Sequence, residues 1–116
     1  MTTLYGIKNC DTVKKARKWL DEHGIDYQFH DFRQDGLEPA QLHRWSEVLG
    51  WETLLNRRSS SWRQLNPAER DNLNEDRALV LMHDLPTLIK RPVLEYPAGV
   101  VVGFSEKRYA EIFKAN

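Results

Sequence analysis

The segment LYGIKNCDTV, residues 4–13, decides how the rest of the chain is arranged. Its short apolar run ends at Gly6, a loop follows, and Cys10, the only cysteine of the protein, stands where a basic, helix-favouring segment begins. A thiol at a strand-to-helix junction lies beside the first N–H groups of the helix, which have no partner within it. These groups and the helix dipole stabilise an anion, so the position favours a reactive thiolate. Position alone leaves a second interpretation open, because lone cysteines are often small buried hydrophobic residues.

The sequence around this loop predicts a βαβ unit. Residues 11–23 repeat apolar side chains at helical spacing, and Gly24 is suited to a left-handed cap behind them. Apolar and polar residues then alternate from 25 to 30, which is typical of a strand. The two strands should therefore be parallel, with a right-handed helical crossover between them.

The remainder divides into a polar helical stretch and a β-β-α end. Pro39 is suited to the first turn of one helix and Asn74 can cap another, whereas residues 56–61 are predicted to be a loop. Residues 91–96 and 100–104 are predicted to pair as a hairpin through a Pro-Ala-Gly turn. The full order is β-α-β, a helical insert, and β-β-α.

We predict a single domain over residues 1–116, since the sequence contains no internal repeat, low-complexity tract or linker. Its core is expected from about residues 1–34 and 86–116, and the helical insert from about residues 37–85. Ser105 can cap the last helix of the core. A chain of this length can bury one real core.

Composition narrows the classes of function. The chain carries 17 basic and 17 acidic side chains, so there is no global electrostatic case for binding nucleic acid or an anionic membrane. One cysteine excludes a disulfide framework and a cysteine-rich zinc site, and the histidines lack metal-ligand spacing, so no metal site is predicted. We find no signal peptide and no apolar stretch that could span a bilayer. We expect a soluble, cytoplasmic protein, because a lone thiol fits a reducing compartment. We also expect a monomer, because a two-layer fold can cover its own sheet.

Three short motifs carry a resemblance to a known family: KNCDT at residues 8–12, NRRS at 56–59 and IKRP at 89–92. Together with the helical insert, they resemble the arsenate reductase (ArsC) family, in the branch that contains the Spx regulators and the small YffB proteins. The resemblance covers nearly the whole chain. It implies an α/β fold with a thioredoxin-like β-α-β…β-β-α mixed sheet, in which Pro92 takes the place of a proline, usually cis, beside the active cysteine.

The chain departs from the arsenate-reducing members of that family in its arginines. Those enzymes combine the cysteine with three arginines that bind the oxyanion. Arg91 matches one of them, and Asn56 stands at the second, with Arg57 and Arg58 next to it. The third falls on Gly103, which has no side chain.

Two more positions differ from the family pattern. Gly6 stands where a histidine is expected near the thiol, and Val13 stands where the redox-sensing Spx proteins carry the second cysteine of a Cys-x-x-Cys pair. A disulfide switch within this chain is therefore impossible.

These features together predict a glutathione-dependent monothiol reductase with Cys10 as the nucleophile. With no resolving cysteine, an external thiol must release the mixed disulfide, and glutathione is the expected co-substrate; no tightly bound cofactor is expected. Lys8 and the helix start should lower the pKa of Cys10, and Arg91 should bind a carboxylate of glutathione or another anion. Pro92 should present a strand edge to a peptide-like ligand. The predicted binding residues are Lys8, Asn9, Arg57, Arg58, Arg91 and Pro92, with Arg57 and Arg58 as alternatives for a second carboxylate contact.

Two alternatives remain at this stage. The resemblance to Spx implies a non-catalytic regulatory protein that binds RNA polymerase or another protein. The resemblance to the classical enzymes implies an arsenate reductase, which would need a substitute for the arginine missing at Gly103.

Overall fold

The computed structural model describes residues 1–114, which form a four-stranded sheet and eight α-helices. The strands are β1 (Thr3–Gly6), β2 (Gln28–Asp31), β3 (Val93–Tyr96) and β4 (Gly99–Val102). The helices are α1 (Asp11–Glu22), α2 (Phe32–Asp35), α3 (Pro39–Leu49), α4 (Trp51–Leu54), α5 (Ser60–Gln64), α6 (Pro67–Arg70), α7 (Glu75–Asp84) and α8 (Glu106–Ile112), with a 3-10 helix at Pro86–Leu88. The last two residues of the predicted core segment 86–116 lie outside the described residues.

The sheet has the strand order β2-β1-β3-β4. β1 pairs with β2 in parallel, and both β1 with β3 and β3 with β4 are antiparallel. The predicted parallel βαβ unit, the predicted hairpin and the thioredoxin-like mixed sheet are thereby confirmed.

The chain divides into two compact units, which we describe separately. The first contains Met1–Asp35 and the chain from Arg91 onward, and the second contains Gly36–Lys90. The first unit holds the whole sheet with α1, α2 and α8, and its core is built from buried residues of β1, α1, β3, β4 and α8. These core residues are Leu4, Val13, Ala16, Trp19, Leu20, Leu94, Val101 and Tyr109.

The second unit is a set of helices in which α3 contacts α7. Leu42 and Trp45 of α3 and Met82 of α7 are buried, as their helical spacing predicts. Its largest departure from prediction is α5, which lies partly within residues 56–61, where a loop was expected. The Ser59 side chain accepts a hydrogen bond from the Trp62 N–H at 3.1 Å, which caps a helix too short to leave a periodic pattern.

The second strand is shorter than the alternation of residues 25–30 predicts. Gly24 adopts φ 65°, as expected of a left-handed cap, and the Ile25 N–H then donates to the Leu20 carbonyl at 3.0 Å. This bond assigns Ile25 to the end of α1, and β2 begins only at Gln28. No helix among residues 1–114 is long and apolar enough to cross a membrane.

The end of β1 packs directly against the first turn of α1. A Cβ atom placed on Gly6 would lie 2.7 Å from Cγ2 of Val13, closer than carbon atoms approach in proteins. Val13 is 0% exposed, so its side chain has little room to move aside. The junction that carries Cys10 therefore depends on a missing side chain at position 6.

We expect Gly6→Ala to destabilise the protein by about 1–3 kcal/mol, because the added methyl group overpacks the contact with Val13. In the double variant Gly6→Ala/Val13→Ala, the space vacated by Val13 receives that methyl group. Urea unfolding of the two single variants and the double variant should give a favourable coupling of at least about 0.5 kcal/mol. Strictly additive losses would contradict the contact.

Candidate functional site

Cys10 lies at the N-cap of α1, with extended backbone angles of φ −109° and ψ 124°. Its N–H donates to the Ile7 carbonyl at 3.2 Å, and its carbonyl accepts the Lys14 N–H at 2.9 Å. The residue is half-buried against the core of the first unit. The loop is thus closed on one side by a turn and on the other by the helix, and the sulfur is held at the helix start.

The surroundings of Cys10 lower the pKa of its thiol. Burial acts in the opposite direction and raises the pKa, but the Val13 N–H, the Arg91 guanidinium and the Thr12 N–H together outweigh it. Arg91 contributes both as a hydrogen-bond donor to the sulfur and as a positive charge. These are the groups that stabilise a thiolate, and they favour the reactive interpretation of Cys10 over that of a buried hydrophobic residue.

Arg91 reaches the site from the segment that leads into β3. The Arg91–Pro92 peptide bond is cis, which confirms the predicted proline geometry. Pro92 is buried and its carbonyl accepts the Gly103 N–H at 2.8 Å. That carbonyl is therefore paired within the protein, and the binding of a peptide-like ligand beside Pro92 stays a prediction.

Asp31, which sequence reasoning missed, anchors the loop that carries Cys10. The side chain is only 4% exposed. One carboxylate oxygen accepts the Lys8 N–H at 3.2 Å, and the other accepts the N–H groups of Arg33 at 2.7 Å and Gln34 at 3.2 Å. Burial raises the pKa of Asp31, but these N–H groups and the charge of Lys8 together lower it by more, so the pKa is below the ordinary carboxyl value.

The sequence indicates one of the two roles of Asp31, that of a helix cap, but not its bond to Lys8. An aspartate directly before a helix is a standard N-cap, and Asp31 precedes α2. The bond to Lys8 depends on the parallel register of β1 and β2, which sets Asp31 opposite Gly6. Nothing in the local sequence gives that register.

The predicted binding residues of the loop, Lys8 and Asn9, are exposed. Lys8 contributes its backbone N–H to Asp31, and the cation that lowers the pKa of Cys10 is Arg91 rather than Lys8. The pKa of Cys10 is therefore lowered by Arg91 and the helix N–H groups, and not by Lys8 as predicted.

Arg57 and Arg58 belong to the second unit, and their place in the site stays a prediction. Both are exposed, and the Arg57 guanidinium lies 5.7 Å from the ring centre of Trp62. Asn56, which stands at the family's arginine, uses its side-chain oxygen to accept the Arg58 N–H at 3.1 Å. Asn56 is thus a residue of the local turn.

The two glycines that replace charged or polar family residues are fixed by the backbone. Gly6 has no space for a side chain beside Val13. Gly103 has φ 81°, a left-handed conformation that an arginine would adopt only with strain. Neither the histidine nor the third arginine could be restored by a substitution without disturbing the fold.

Replacing Arg91 with methionine should raise the pKa of Cys10, because the sulfur loses both a hydrogen-bond donor and a nearby positive charge. The pH dependence of alkylation by a neutral reagent measures this pKa, and the variant should react more slowly below its new midpoint. Arg108→Met is the matched control, since it removes the same charge from an exposed position on α8. An unchanged midpoint in Arg91→Met would assign the lowered pKa to the helix N–H groups alone.

Asp31→Asn should lower the free energy of unfolding at neutral pH by about 1–3 kcal/mol, because an amide nitrogen cannot accept the Lys8 N–H. The folded-state pKa of Asp31 is lowered, so its contribution is present above the ordinary carboxyl pKa and is lost as pH falls through the lowered value. Urea unfolding across this range should therefore show a smaller acid loss in Asp31→Asn than in the native chain. Asp21→Asn, an exposed position on α1, is the control; equal losses in both variants would refute the anchoring.

Comparison with known proteins gives a consistent set of relatives. A model of the ArsC family matches residues 5–112. An uncharacterized protein of Haemophilus influenzae is 45% identical over 113 residues, which cover 97% of this chain and 99% of that protein. The global transcriptional regulator Spx of Lactiplantibacillus plantarum is 30% identical over 111 residues, which cover 91% of this chain and 81% of the regulator.

Solved structures agree with these sequences. The YffB protein is 47% identical, with a TM-score of 0.93 over 96% of this chain and 97% of its own. An arsenate reductase (ArsC) related protein from Brucella melitensis is 46% identical, with a TM-score of 0.78 over 98% of this chain and 95% of its own. Since the family model covers most of the sequence and these relatives match it along nearly its full length, the chain belongs to the ArsC family.

Proposed function

We propose that this protein is a monothiol, glutathione-dependent thiol–disulfide reductase with Cys10 as its nucleophile. The observation that carries the proposal is the lowered pKa of the single thiol, held at the helix start beside Arg91. Thiol–disulfide exchange needs a thiolate that attacks a disulfide sulfur. The position of a second, resolving cysteine is filled by Val13, which is fully buried.

The reaction follows from one thiolate and no internal partner. The Cys10 thiolate attacks the glutathione sulfur of a mixed disulfide R–S–S–G, which forms Cys10–S–S–G and releases the thiolate RS⁻, and RS⁻ takes a proton. The thiolate of a second glutathione then attacks the glutathione sulfur of Cys10–S–S–G. Glutathione disulfide forms and Cys10 leaves as a thiolate. The net reaction converts R–S–S–G and one free glutathione into RSH and glutathione disulfide, so the free glutathione is the reductant.

Arg91 has two parts in this scheme. It stabilises the Cys10 thiolate before attack and again when that thiolate leaves in the second step. Its guanidinium can also bind a carboxylate of glutathione, since the fork of N–H donors matches a carboxylate. Arg57 or Arg58 would supply a second carboxylate contact, and the exposed Lys8 and Asn9 border the thiol along the loop.

Arsenate reduction is less well supported by the same geometry. The third arginine of the classical enzymes has no counterpart at Gly103, where φ is 81°. Each missing charge-assisted hydrogen bond to an oxyanion removes about 1.5–3 kcal/mol of binding. A disulfide substrate carries no such charge at the reacting atoms, so it does not need these arginines.

A second candidate function is regulation through a protein contact, without turnover. It is favoured by the 30% identity to the global transcriptional regulator Spx of Lactiplantibacillus plantarum. In this case the fold would bind another protein, such as RNA polymerase, and Cys10 would be dispensable. The two functions therefore differ in what a change at Cys10 does.

Cys10→Ser should reduce turnover of a glutathionylated small-molecule disulfide to the rate of glutathione alone, because a hydroxyl at this position stays protonated and cannot attack sulfur. Glutathione disulfide production, coupled to an auxiliary reductase that consumes NADPH, measures turnover. Thermal unfolding should be close to that of the native chain, since the sulfur is only half-buried. Turnover that survives in a folded Cys10→Ser protein would overturn the reductase, and absence of turnover in the native chain would favour the regulatory candidate.

A further inference from the structure

A surface groove of about 550 Å³ lies in the first unit between α1 and residues 104–106. It is lined at one end by Thr12, whose N–H also acts on the Cys10 sulfur. Thr12 is thus shared by the lining of the groove and the surroundings of the thiol. Trp19 and Phe104 give it an aromatic wall.

The charged residues of the groove have both signs. Lys15, Lys18 and Glu22 line it from α1, and Glu106 lines it from the first turn of α8. All four are exposed, and none takes part in an ion pair within the part of the chain that the structure describes. Two cations and two carboxylates are thus available to a ligand in the same groove.

The spacing along α1 places these groups within reach of a molecule attached to Cys10. Lys15 follows Thr12 by three residues, and Glu22 follows Lys15 by seven. Both spacings are close to whole helical turns, so the three residues share one face of α1. The distance from Thr12 to Glu22 is about 15 Å at the helical rise per residue. An extended tripeptide spans about 10 Å, so one linked to Cys10 through its central thiol extends from the Thr12 end toward the middle of the groove. Helical side chains tilt toward the helix N-terminus, which brings the long Glu22 side chain back toward that point.

We propose that this groove binds the γ-glutamyl end of a glutathionyl group that is disulfide-bonded to Cys10. Lys15 and Lys18 bind its α-carboxylate, and Glu22 and Glu106 bind its α-ammonium group. The proposal rests on the reductase function proposed above and adds the part of the substrate that the protein recognises. In both steps the recognised group is the same, because the glutathione sulfur is attacked first by Cys10 and then by the second glutathione.

The charge pattern favours a zwitterion over other small ligands. An anion without an ammonium group would be attracted by the two lysines but repelled by Glu22 and Glu106. A cation without a carboxylate would be attracted by the two glutamates but repelled by the lysines. A neutral disulfide would use none of the four charges. Only a ligand that carries both charges a few bonds apart interacts favourably with both pairs.

The test uses mixed disulfides of β-mercaptoethanol with glutathione and with two analogues. The γ-aminobutyryl analogue lacks the α-carboxylate, and the glutaryl analogue lacks the α-amino group. The rate at which each disulfide forms the adduct on Cys10 of the full chain is followed by mass spectrometry under single-turnover conditions. The native protein should prefer glutathione over each analogue by about fivefold, the upper range for an exposed ion pair, and added salt should reduce the preference.

Variants separate the two halves of the proposed site. Lys15→Gln and Lys18→Gln should each reduce the preference over the γ-aminobutyryl analogue only, and Glu22→Gln and Glu106→Gln should reduce the preference over the glutaryl analogue only. Lys14→Gln and Glu111→Gln, exposed positions on α1 and α8 outside the groove, are the matched controls and should keep both preferences.

Each outcome decides between the groove and the chemistry. Equal rates for all three disulfides in the native chain would overturn the proposal that the groove binds the γ-glutamyl end, and so would equal effects of Lys14→Gln and Lys18→Gln. In both cases adduct formation on Cys10 would still support the reductase function. No adduct with any disulfide would overturn the reductase itself. If a preference appeared only with a glutathionylated peptide, the groove would bind the peptide segment of the substrate, and the γ-glutamyl assignment would be wrong.

Discussion

The buried carboxylate of Asp31, at the end of β2, joins the Cys10 loop to the first turn of α2. It accepts N–H groups from the Cys10 loop, through Lys8, and from the first turn of α2. A buried N–H group without an acceptor costs about 1–3 kcal/mol, so the carboxylate stabilises these segments in one arrangement. Lys8 is two residues before Cys10, and the lowered pKa of the thiol depends on how its sulfur meets the Val13 N–H and Arg91. The position of the Cys10 loop therefore depends on a residue that is not among the groups acting on the sulfur.

The elements that could be predicted from the sequence are those fixed by local chemistry. Asn74 and Ser105 cap helices where expected, because a cap acts on N–H groups only two or three residues away. Pro39 is the first residue of α3, where its fixed φ suits the first turn. Gly24 ends α1 with the expected left-handed conformation. The predicted start of β2 was wrong. An apolar residue at Ile25 is expected both at the beginning of a strand and in the motif that ends a helix. Periodicity cannot distinguish them, whereas the hydrogen bond to Leu20 does.

The candidate site was predictable to a smaller extent. Cys10 stood out from position and Arg91 from the family resemblance, and the structure places the two in contact. Asp31 could not be found in the same way, because its bond to Lys8 crosses 23 residues and exists only once β1 and β2 are in register. The assignment of the activating charge to Lys8 failed for a related reason. Closeness in sequence does not tell which way a side chain points from a loop.

The packing at the start of α1 limits the chemistry that this backbone can carry. Val13 is buried against Gly6, so the place of a second cysteine is occupied by a side chain that the end of β1 needs for its own packing. Gly103, in turn, accommodates no arginine without strain. The chain retains one activated thiol with one guanidinium and lacks both an internal reductant and a full oxyanion site. Under the proposed reductase function, such a protein completes its redox cycle only with an external thiol. Its specificity would then come from contacts with that thiol's other groups rather than from the reacting sulfur.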